Sequence, residues 1–388
     1  MTDGPIRVTH VVFDFNGGGM ETLVAEMAGR FRGTNVHVSL VTLGGRAGRL
    51  GESTRDRFDQ FHVVAPSRGV SMLVPLGVAR AIRETRADVV HIHSGCWLKG
   101  ARAARLAGVR RVIFTEHGRE HDDPRLMRWL DRLASRETDA IVGVSERVAR
   151  YLVSAVGVDA SKTCVIHNGV NTSAFTSGPA PASLRASLGV PPDAVVIGSV
   201  GRLEAVKAYD QLLNAAKLLR TRLRRPFVVA ICGDGSQRHA LMAQATRLGL
   251  DDVVRLPGWT QRPVDFYRLL DVFVLSSLSE GQSVSLLEAM ACGVAPVVTD
   301  VGANAEMLGP ELRAQIVPVA DPEALAAAIA ATASAGTGRI GSLVQARARD
   351  HYSLDRMVGD YERLYRAVDG IPADLRVTPA PAASDRRR

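Results

Sequence analysis

Short runs of apolar residues alternate with amphipathic stretches along almost the whole chain. Most of these runs hold adjacent Val and Ile residues without polar alternation, which is typical of strands covered on both faces of a parallel sheet. The stretches between them, such as Glu21–Arg32, Tyr209–Arg220 and Ser236–Leu248, have the apolar spacing of helices. The predicted strands are Ile6–Phe15, Val36–Leu43, Phe61–Ala65, Asp88–Ser94, Val112–Glu116, Ala140–Val144, Cys164–His167, Val195–Val200, Phe227–Cys232, Val253–Leu256, Val272–Leu275, Ala295–Thr299 and Gln315–Val319.

This alternation of strands and helices occurs twice, which predicts two doubly wound, Rossmann-like α/β domains. The stretch Thr176–Ala194 between the two halves is rich in Pro, Ser and Ala, and we interpret it as a linker with a short helix in it. We therefore predict a first domain over residues 1–178 and a second over residues 179–350. Residues 351–370 hold one amphipathic helix, at Leu354–Val368, and the proline-containing residues 371–388 are predicted to be a disordered tail.

Composition narrows the class of protein. The apolar fraction is 46% and the charged fraction 23%, which excludes a fibrous or wholly disordered chain. Polar residues or Gly interrupt every apolar run well before the roughly 18 residues that a membrane-spanning helix needs. We expect no signal peptide, because the N-terminal sequence MTDGPIRVTHVVF has no basic region followed by a separate apolar region. We expect a cytoplasmic location because the four Cys residues are far apart and form no metal-binding or disulfide pattern: Cys96, Cys164, Cys232 and Cys292.

The net charge of +8 lies mainly in the first half, with +6 over residues 1–180 and +2 over the rest. Nucleic acid, an anionic membrane or phosphorylated ligands would each suit this charge, and so would a simple bias towards Arg, since only four residues are Lys. No zinc finger, basic zipper or aromatic RNA-binding motif is present, so we expect no nucleic-acid partner.

Glycine and histidine residues stand where strands of the first half end, which is where doubly wound domains bind ligands. Gly17–Gly19 separate the first strand from its helix and form either a backbone cradle for an anion or a plain tight turn. His91 and His93 share one face of the fourth strand, and we interpret them as buried or hydrogen-bonded because no third metal ligand is evident. His117 ends the fifth strand, where its ring could donate to a sugar hydroxyl or a phosphate.

The corresponding strand ends of the second half carry cations. Gly201 ends a strand, and Arg202 and Lys207 follow it just before a helix, which suits a diphosphate but also an ordinary solvated surface. Gly233 follows the next strand in the sequence ICGDG. Trp259 closes a third strand in the sequence LPGW and is interpreted as either a base-stacking or a packing residue.

The most specific segment is SSLSEGQSVSLLEAMACGVAP, in which seven residues separate Glu280 from Glu288. The helix that begins at Gln282–Ser285 has free N–H groups, which can hold a phosphate or sugar hydroxyls. Glu288 lies more than one turn further on and can accept hydrogen bonds from two ribose hydroxyls. The alternative is that Glu280 and Glu288 are two unrelated helical glutamates, and the surrounding sequence disfavours it.

With these motifs in place, the chain from about residue 6 to 368 resembles retaining glycosyltransferases of family 4. The segments that carry the resemblance are GGGME, EHG, VIHNGVN, GRLEAVKAYDQLL, ICGDG, LPGW and the E-x7-E segment. The resemblance implies the GT-B fold, in which two Rossmann-like domains face a central cleft and a C-terminal helix crosses back to the first domain. It also implies that the first domain binds the acceptor and the second the nucleotide-sugar donor.

The resemblance assigns roles to the residues already singled out. Arg202 and Lys207 would neutralise the departing diphosphate, and Glu280 would position the transferred sugar. Glu288 would bind the ribose, and His117 would lie near the reaction centre. The other donor-binding residues that it implies are Gly18, Gly19, Gly201, Gly233, Trp259, Gly281, Gln282, Ser283 and Val284.

The activity implied is transfer of a sugar, from a UDP-sugar in our expectation, to a glycan or lipid-linked saccharide with retention of configuration. The nucleotide-sugar is a co-substrate, and we expect neither a cofactor nor a metal, in keeping with the lack of an Asp-x-Asp motif. The basic first half suits contact with the anionic inner face of the cell membrane, in polysaccharide or glycolipid biosynthesis.

Two positions depart from the family pattern. Ala208 stands where Gly usually follows the lysine, and Gln282 stands where an aromatic residue is frequent, which we expect to alter the sugar pocket. A nucleotide-sugar 2-epimerase and a non-catalytic nucleotide-sugar-binding homologue stay open as alternatives. A nicotinamide dehydrogenase is disfavoured because the first loop lacks GxGxxG.

Overall fold

The computed structural model describes residues 4–66, 74–118, 123–368 and 370–376. The chain divides into two compact units: unit 1 comprises Met1–His167 and Met357–Arg388, and unit 2 comprises Asn168–Arg356. The boundary thus falls after His167, whereas the sequence analysis set it after residue 178.

A pair of backbone hydrogen bonds explains this earlier boundary. The N–H of Val170 donates to the carbonyl of Tyr352, and the N–H of Leu354 donates to the carbonyl of Val170, both at 2.8 Å. These bonds join the segment after His167 to the end of unit 2, so the proline-rich stretch that follows lies inside that unit.

Unit 1 contains the strands β1 (Ile6–Val12), β2 (Val36–Thr42), β3 (Gln60–Val63), β4 (Val89–His93), β5 (Arg111–Glu116), β6 (Ala140–Gly143) and β7 (Thr163–Val165). They form one parallel sheet in the order β3-β2-β1-β4-β5-β6-β7. Its helices are α1 (Gly19–Phe31), α2 (Gly48–Thr54), α3 (Leu76–Glu84), α4 (Trp97–Leu106), α5 (Arg125–Arg136), α6 (Glu146–Tyr151) and, after unit 2, most of α15 (Leu354–Arg366).

The inner strands β1, β4 and β5 are almost fully buried, as their Val and Ile runs predict, whereas the edge strand β3 is partly exposed. The strand order reverses direction after β3, so right-handed crossovers place α3, α4 and α5 together on one face of the sheet. Consistent with this placement, α4 packs against both α3 and α5.

The C-terminal helix α15 packs on unit 1, as the resemblance implied. Leu364 on this helix is fully buried, and Arg111 of β5 donates from Nη2 to the carbonyls of Leu364 and Gly370. The predicted disordered tail from residue 371 is wrong for its first six residues, because Ile371 and Leu375 are buried and hold the chain in place. Residues 377–388 of that predicted tail lie outside the described residues.

Unit 2 contains the strands β8 (Val195–Val200), β9 (Phe227–Cys232), β10 (Val254–Gly258), β11 (Val272–Leu275), β12 (Ala295–Thr299) and β13 (Ile316–Val317). They form a second parallel sheet in the order β10-β9-β8-β11-β12-β13. Its helices are α7 (Ala182–Ser187), α8 (Tyr209–Arg222), α9 (Arg238–Arg247), α10 (Pro263–Leu269), α11 (Val284–Ala291), α12 (Asn304–Leu308), α13 (Pro322–Ala335) and α14 (Gly338–His351).

The loops that follow β8, β9 and β10 interlock at the carboxyl edge of this sheet. The N–H of Gly201 donates to the carbonyl of Cys232 at 3.0 Å, and the N–H of Gly233 donates to that of Gly258 at 2.9 Å. Gly233 has a φ of +153°, and a Cβ there would collide with the carbonyl oxygen of Gly201. The backbones therefore approach closely because residue 233 has no side chain.

No helix among the described residues is both long enough and apolar enough to cross a membrane. The four cysteines are free and buried, which confirms their prediction as core residues.

Ala208 occupies a left-handed backbone conformation, with φ +46° and ψ +45°, immediately before α8. This conformation brings Cβ close to the backbone and costs an Ala residue about 1–2 kcal/mol. A glycine, which is usual in the family at this position, avoids that cost. Ala208 is therefore a site of local backbone strain between Lys207 and α8.

We expect Ala208→Gly to stabilise the protein by about 1 kcal/mol and raise its melting temperature by about 2–4 °C. Ala320→Gly should act in the same direction, since Ala320 has a φ of +55°. Ala243→Gly, at an exposed site within α9, should instead lower stability by about 1 kcal/mol. Differential scanning calorimetry of the three variants checks this order, and a destabilised Ala208→Gly variant would contradict it.

Candidate functional site

In unit 2, a short 3-10 turn at Ala205–Lys207 is held against the loop that follows β11. The hydroxyl of Ser276 donates to the carbonyl of Lys207 at 2.9 Å, and the N–H of Leu278 donates to that of Val206 at 2.8 Å. These two bonds fix the backbone that carries the lysine relative to the β11 loop.

The side chains of Lys207 and Glu280 meet between these two segments. Nζ of Lys207 lies 2.6 Å from Oε1 of Glu280, and the hydroxyl of Ser277 donates to the same oxygen at 2.7 Å. Both charged side chains are mostly buried, with exposures of 17% and 11%. Oε2 of Glu280 has no hydrogen-bond partner among the described residues, so it can accept from a ligand hydroxyl. Arg202 is exposed and makes no ion pair with another described residue.

The N-terminus of α11 follows Glu280 and presents backbone donors. Ser283 is the N-cap residue, and its hydroxyl accepts from the N–H of Leu286 at 3.3 Å. The N–H groups of Gly281, Gln282, Ser283 and Val284 have no acceptor in the described part of the chain. A helix N-terminus with such groups attracts anions and hydroxyl oxygens.

The side chain of Gln282 turns towards the first residue of unit 2. Its Oε1 accepts from the N–H of Asn168 at 2.5 Å, and Nδ2 of Asn168 donates to the Gln282 carbonyl at 3.0 Å. Gln282 is 4% exposed and its Nε2 has no partner among the described residues. Gln282 thus ties Asn168 to the start of α11; whether it alters a sugar pocket stays a prediction.

Glu288 lies five residues after the N-cap of α11, on the helix itself. Its Oε2 accepts from the hydroxyl of Tyr267, on α10, at 2.6 Å. Tyr267 is fully buried, and burial followed by the charge of Glu288 raises the pKa of its hydroxyl well above 10. The phenol therefore remains a proton donor that orients the carboxylate.

The remaining predicted donor residues occupy the strand ends of unit 2. Gly201 and Gly233 form the close backbone contact described above, and Trp259 follows β10 with 53% of its surface exposed. The fold thus brings Lys207 and Glu280 into contact, and it places Glu288 on α11, the helix that follows Glu280.

The predicted residues of unit 1 also lie at strand ends. Gly18 is the N-cap residue of α1 and Gly19 its first residue, after β1. His117 follows β5, and its N–H donates to the hydroxyl of Ser94 at 2.8 Å. That hydroxyl in turn donates to Oε1 of the buried Glu116 at 2.7 Å.

Four histidine rings form a connected cluster inside unit 1. His10 Nδ1 lies 2.9 Å from His93 Nε2, and His93 Nδ1 lies 2.9 Å from His117 Nε2. His91 stands beside them, with its Nδ1 2.8 Å from the hydroxyl of Tyr365 and its Nε2 2.7 Å from the hydroxyl of Thr115. The interpretation of His91 and His93 as buried, hydrogen-bonded residues of one strand face is confirmed.

Burial holds these rings in the neutral form. It lowers the pKa of His10 to about 3, with a smaller effect from His117, and it lowers the pKa of His117 to about 3. For His91 and His93, burial is again the main cause of a pKa well below 6.5, and neighbouring rings add to it. Each ring is therefore one donor and one acceptor at neutral pH.

His10, His91 and His93 are also the described residues that come closest to a metal-ligand set, with one nitrogen of each ring within 4.8 Å of the others. Five of their six ring nitrogens already face a hydrogen-bond partner, and only Nε2 of His10 does not. A metal would have to replace several of these bonds, so the chemistry of this set fits a hydrogen-bonded network.

Sequence reasoning missed His10, Thr115 and the tyrosines. His10 stands opposite His91 because β1 pairs with β4, and the doubly wound strand order would have predicted that pairing. Tyr267, Tyr361 and Tyr365 carry no such signal, since each reaches its partner through packing between distant segments.

Two family models match successive parts of the chain. The model for glycosyl transferases group 1 matches residues 182–335, and the model for Glycosyltransferase Family 4 matches residues 17–174. Together these stretches take up about four fifths of the chain.

The D-inositol 3-phosphate glycosyltransferase of Saccharomonospora viridis is 35% identical over 62% of this chain and 61% of its own length. The chain thus spans less than two thirds of that curated relative. The UDP-Gal:alpha-D-GlcNAc-diphosphoundecaprenol alpha-1,3-galactosyltransferase of Escherichia coli is 28% identical over 66% of this chain and 70% of its own length.

Among solved structures, Anabaena Alr3699/HepE in complex with UDP and glucose matches with a TM-score of 0.80 at 19% identity. The match covers 92% of this chain and 99% of that one. The likeness concerns the fold, and it confirms the predicted GT-B class.

Proposed function

We propose that the chain, which matches the models for glycosyl transferases group 1 and Glycosyltransferase Family 4, moves a sugar from a nucleotide-sugar to a saccharide or lipid-linked acceptor. The observation that carries this proposal is the grouping of Lys207, Glu280 and Glu288 with the N-terminus of α11. A cation, unpaired backbone donors and two carboxylates match the needs of a diphosphate, a sugar and a ribose.

Each group of this donor site has one task in the proposal. Lys207 stabilises the charge that grows on the diphosphate as the glycosyl bond breaks, and Arg202 adds a second cation nearby in sequence. The free oxygen of Glu280 and the N–H groups of Gly281–Val284 hold the sugar hydroxyls. Glu288 accepts from the ribose hydroxyls while Tyr267 keeps its carboxylate in place.

We propose that the acceptor hydroxyl attacks the anomeric carbon from the face that the diphosphate leaves. A new bond from the acceptor oxygen to that carbon forms as the bond to the phosphate oxygen breaks, and the leaving phosphate takes the acceptor's proton. The configuration is then retained. Because protein cations face the diphosphate, we propose that the reaction requires no metal.

The names of relatives support a UDP-sugar donor and a phosphorylated acceptor. One relative is named for UDP-Gal and a diphosphoundecaprenol acceptor, another for inositol 3-phosphate, and a structural neighbour binds UDP and glucose. The excess of positive charge in residues 1–180 would complement such an acceptor. We therefore propose a role in cell-surface polysaccharide or glycolipid biosynthesis.

Product analysis separates a transferase from the two alternatives, a 2-epimerase and a non-catalytic binding protein. A 2-epimerase returns an altered nucleotide-sugar, and a non-catalytic binding protein releases no free nucleotide. A transferase releases nucleoside diphosphate, slowly with water and faster with its acceptor.

The ribose assignment predicts the effect of Glu288→Ala. We expect it to weaken binding of UDP and UDP-glucose about 10- to 100-fold, since a hydrogen bond to a charged group contributes about 1.5–3 kcal/mol. Isothermal titration calorimetry in the presence of EDTA measures these affinities, and GDP and GDP-mannose are titrated for comparison. Glu311→Ala, at an exposed site of unit 2, is the control and should bind normally. Unchanged affinity in Glu288→Ala would remove the ribose role.

The leaving-group assignment predicts the effect of Lys207→Met. We expect the rate of nucleotide release from the bound nucleotide-sugar to fall about 10²- to 10³-fold. Other enzymes lose this much when a group that stabilises charge in the transition state is removed. Binding of UDP should change much less. Lys217→Met removes the same charge from an exposed site on α8 and should leave the rate unchanged. A Lys207→Met variant with normal turnover would locate the diphosphate site elsewhere.

The α3–α5 side of unit 1 presents apolar side chains among arginines. On α5, Leu126, Met127 and Trp129 are 65%, 46% and 59% exposed, and Leu126 and Trp129 project from one side of the helix. Arg125 and Arg128 stand beside them. On α3, Leu76 is 66% exposed and lines a groove of about 430 Å³ with Arg80, Arg83 and Leu106.

Exposed Trp and Leu residues flanked by Arg suit the interface of an anionic bilayer, where each cation contributes about 1 kcal/mol. We propose that the α3–α5 side docks on anionic lipid at the inner face of the cell membrane. A lipid-linked acceptor would be presented on that surface.

Vesicle flotation tests this docking. We expect binding to phosphatidylglycerol-containing vesicles, weaker binding to pure phosphatidylcholine, and loss of binding at high salt. The double variant Leu126→Ser/Trp129→Ser should lose most of the binding. Met242→Ser, which removes a 50% exposed side chain from unit 2, should retain it. Equal flotation of the double variant and the wild type would contradict the assignment.

A further inference from the structure

Three of the clustered rings in unit 1 form a linear chain of hydrogen bonds. His10 uses Nδ1 to reach Nε2 of His93, and His93 uses Nδ1 to reach Nε2 of His117, with both distances 2.9 Å. The two terminal nitrogens, Nε2 of His10 and Nδ1 of His117, are buried and have no partner among the described residues. The chain therefore has two open ends, one on each terminal ring.

Neutral imidazoles in such a chain must share one direction of donation. A neutral ring has one N–H and one lone pair, so a ring that donates through Nδ1 must accept through Nε2. Two patterns are then allowed: every ring carries its proton on Nδ1, or every ring carries it on Nε2. In the first pattern the unpaired N–H lies on His117, and in the second it lies on His10.

The positions of the two terminal rings select between these two patterns. An N–H group without an acceptor is less tolerated in a protein interior than an unused lone pair. His10 is fully buried within the sheet, whereas His117 is partly exposed at the end of β5. Nδ1 of His117 is itself buried, but its ring is the partly exposed one, so the unpaired N–H is better placed on His117, at the strand end where doubly wound domains bind ligands.

We propose that His10 and His93 are positioning residues that fix His117 in the Nδ1–H tautomer, so that His117 offers a hydrogen-bond donor to an oxygen of the ligand. This inference rests on the proposed function only for the identity of that ligand, a sugar hydroxyl or a phosphate oxygen. The same tautomer leaves His117 unable to take a proton at Nδ1, so His117 acts here as a donor and not as a base.

The groups that flank the chain leave this pattern intact. His91 packs beside His93 with 4.2 Å between ring centroids, but both of its nitrogens bind hydroxyl groups, those of Tyr365 and Thr115. Hydroxyl groups donate or accept as required, and Tyr361 completes the set at 3.1 Å from Thr115. His91 therefore places no constraint on the direction of the chain.

Nitrogen-15 NMR of histidine-labelled, ligand-free protein tests the tautomers directly. Free histidine prefers the Nε2–H form in water, so three rings with Nδ1–H signals would be a distinctive result. We expect that result for His10, His93 and His117, with no change between pH 6 and 8 and none after addition of EDTA. An Nε2–H signal from His117, its protonation in this pH range, or a shift caused by EDTA would overturn the proposal.

A matched pair of variants tests the coupling. His93→Phe keeps an aromatic ring but removes the donor to His117, and we expect His117 to revert largely to its Nε2–H form. His91→Phe makes the same change in the neighbouring ring outside the chain and should leave His117 in the Nδ1–H form. A His117 signal that is unchanged in a folded His93→Phe variant would refute the coupling.

If His93→Phe does not fold, the wild-type spectrum still decides between the two tautomers. The measurement needs no substrate, so a failure of the glycosyl-transfer assay does not affect it. Where the transfer assay succeeds, we expect His93→Phe to lower the rate of donor turnover several-fold while UDP binding stays within twofold of wild type.

Discussion

Both sheets are parallel, and a parallel sheet is stable only when helices cover both of its faces. In unit 1 part of that cover is α15, which the chain reaches only after it has completed unit 2. Leu364 buries its side chain there, and Arg111 binds the carbonyl at the same residue. Helix α15 is thus needed to cover the sheet of unit 1, and it is not an appendage of unit 2.

The same cover provides hydrogen bonds for polar residues on the sheet. His91 and Thr115 are fully buried on β4 and β5, where unpaired polar atoms would cost several kcal/mol. Tyr365 and Tyr361 of α15 bring the hydroxyl groups that satisfy them. Helix packing and the polar network of unit 1 therefore depend on each other, and the neutral state of the rings follows from the burial that α15 completes.

Sequence patterns predicted the elements well because strand formation here depends on local composition. Every predicted strand is present, and β8, β9, β11 and β12 have the predicted bounds. Sequence reasoning gave Lys207 and Glu280 separate roles and did not predict their contact, which depends on how the turn at Ala205–Lys207 meets the β11 loop. Partners such as Tyr267, and the strain at Ala208, depend on side-chain packing and backbone angles that no spacing encodes.

The two units use different electrostatics for their polar groups. The histidine rings of unit 1 are neutral, so their hydrogen bonds run from donor to acceptor without any net charge. Unit 2 instead holds the Lys207–Glu280 ion pair at the carboxyl edge of its sheet. Removing one partner from such a mostly buried pair leaves an uncompensated charge, which is strongly unfavourable. Ser277 adds a second bond to the same oxygen of Glu280, and this holds the carboxylate while its other oxygen stays unused.

The backbone donors beside that pair stay available for a related reason. Ser283 caps the N–H of Leu286, and Gln282 directs its amide oxygen to Asn168, so neither side chain occupies the N–H groups from Gly281 to Val284. An aromatic residue in place of Gln282 could not make the bond to Asn168. The departure from the family pattern at this position therefore has a structural consequence of its own: the Gln282 side chain anchors the first residue of unit 2 to the N-terminus of α11.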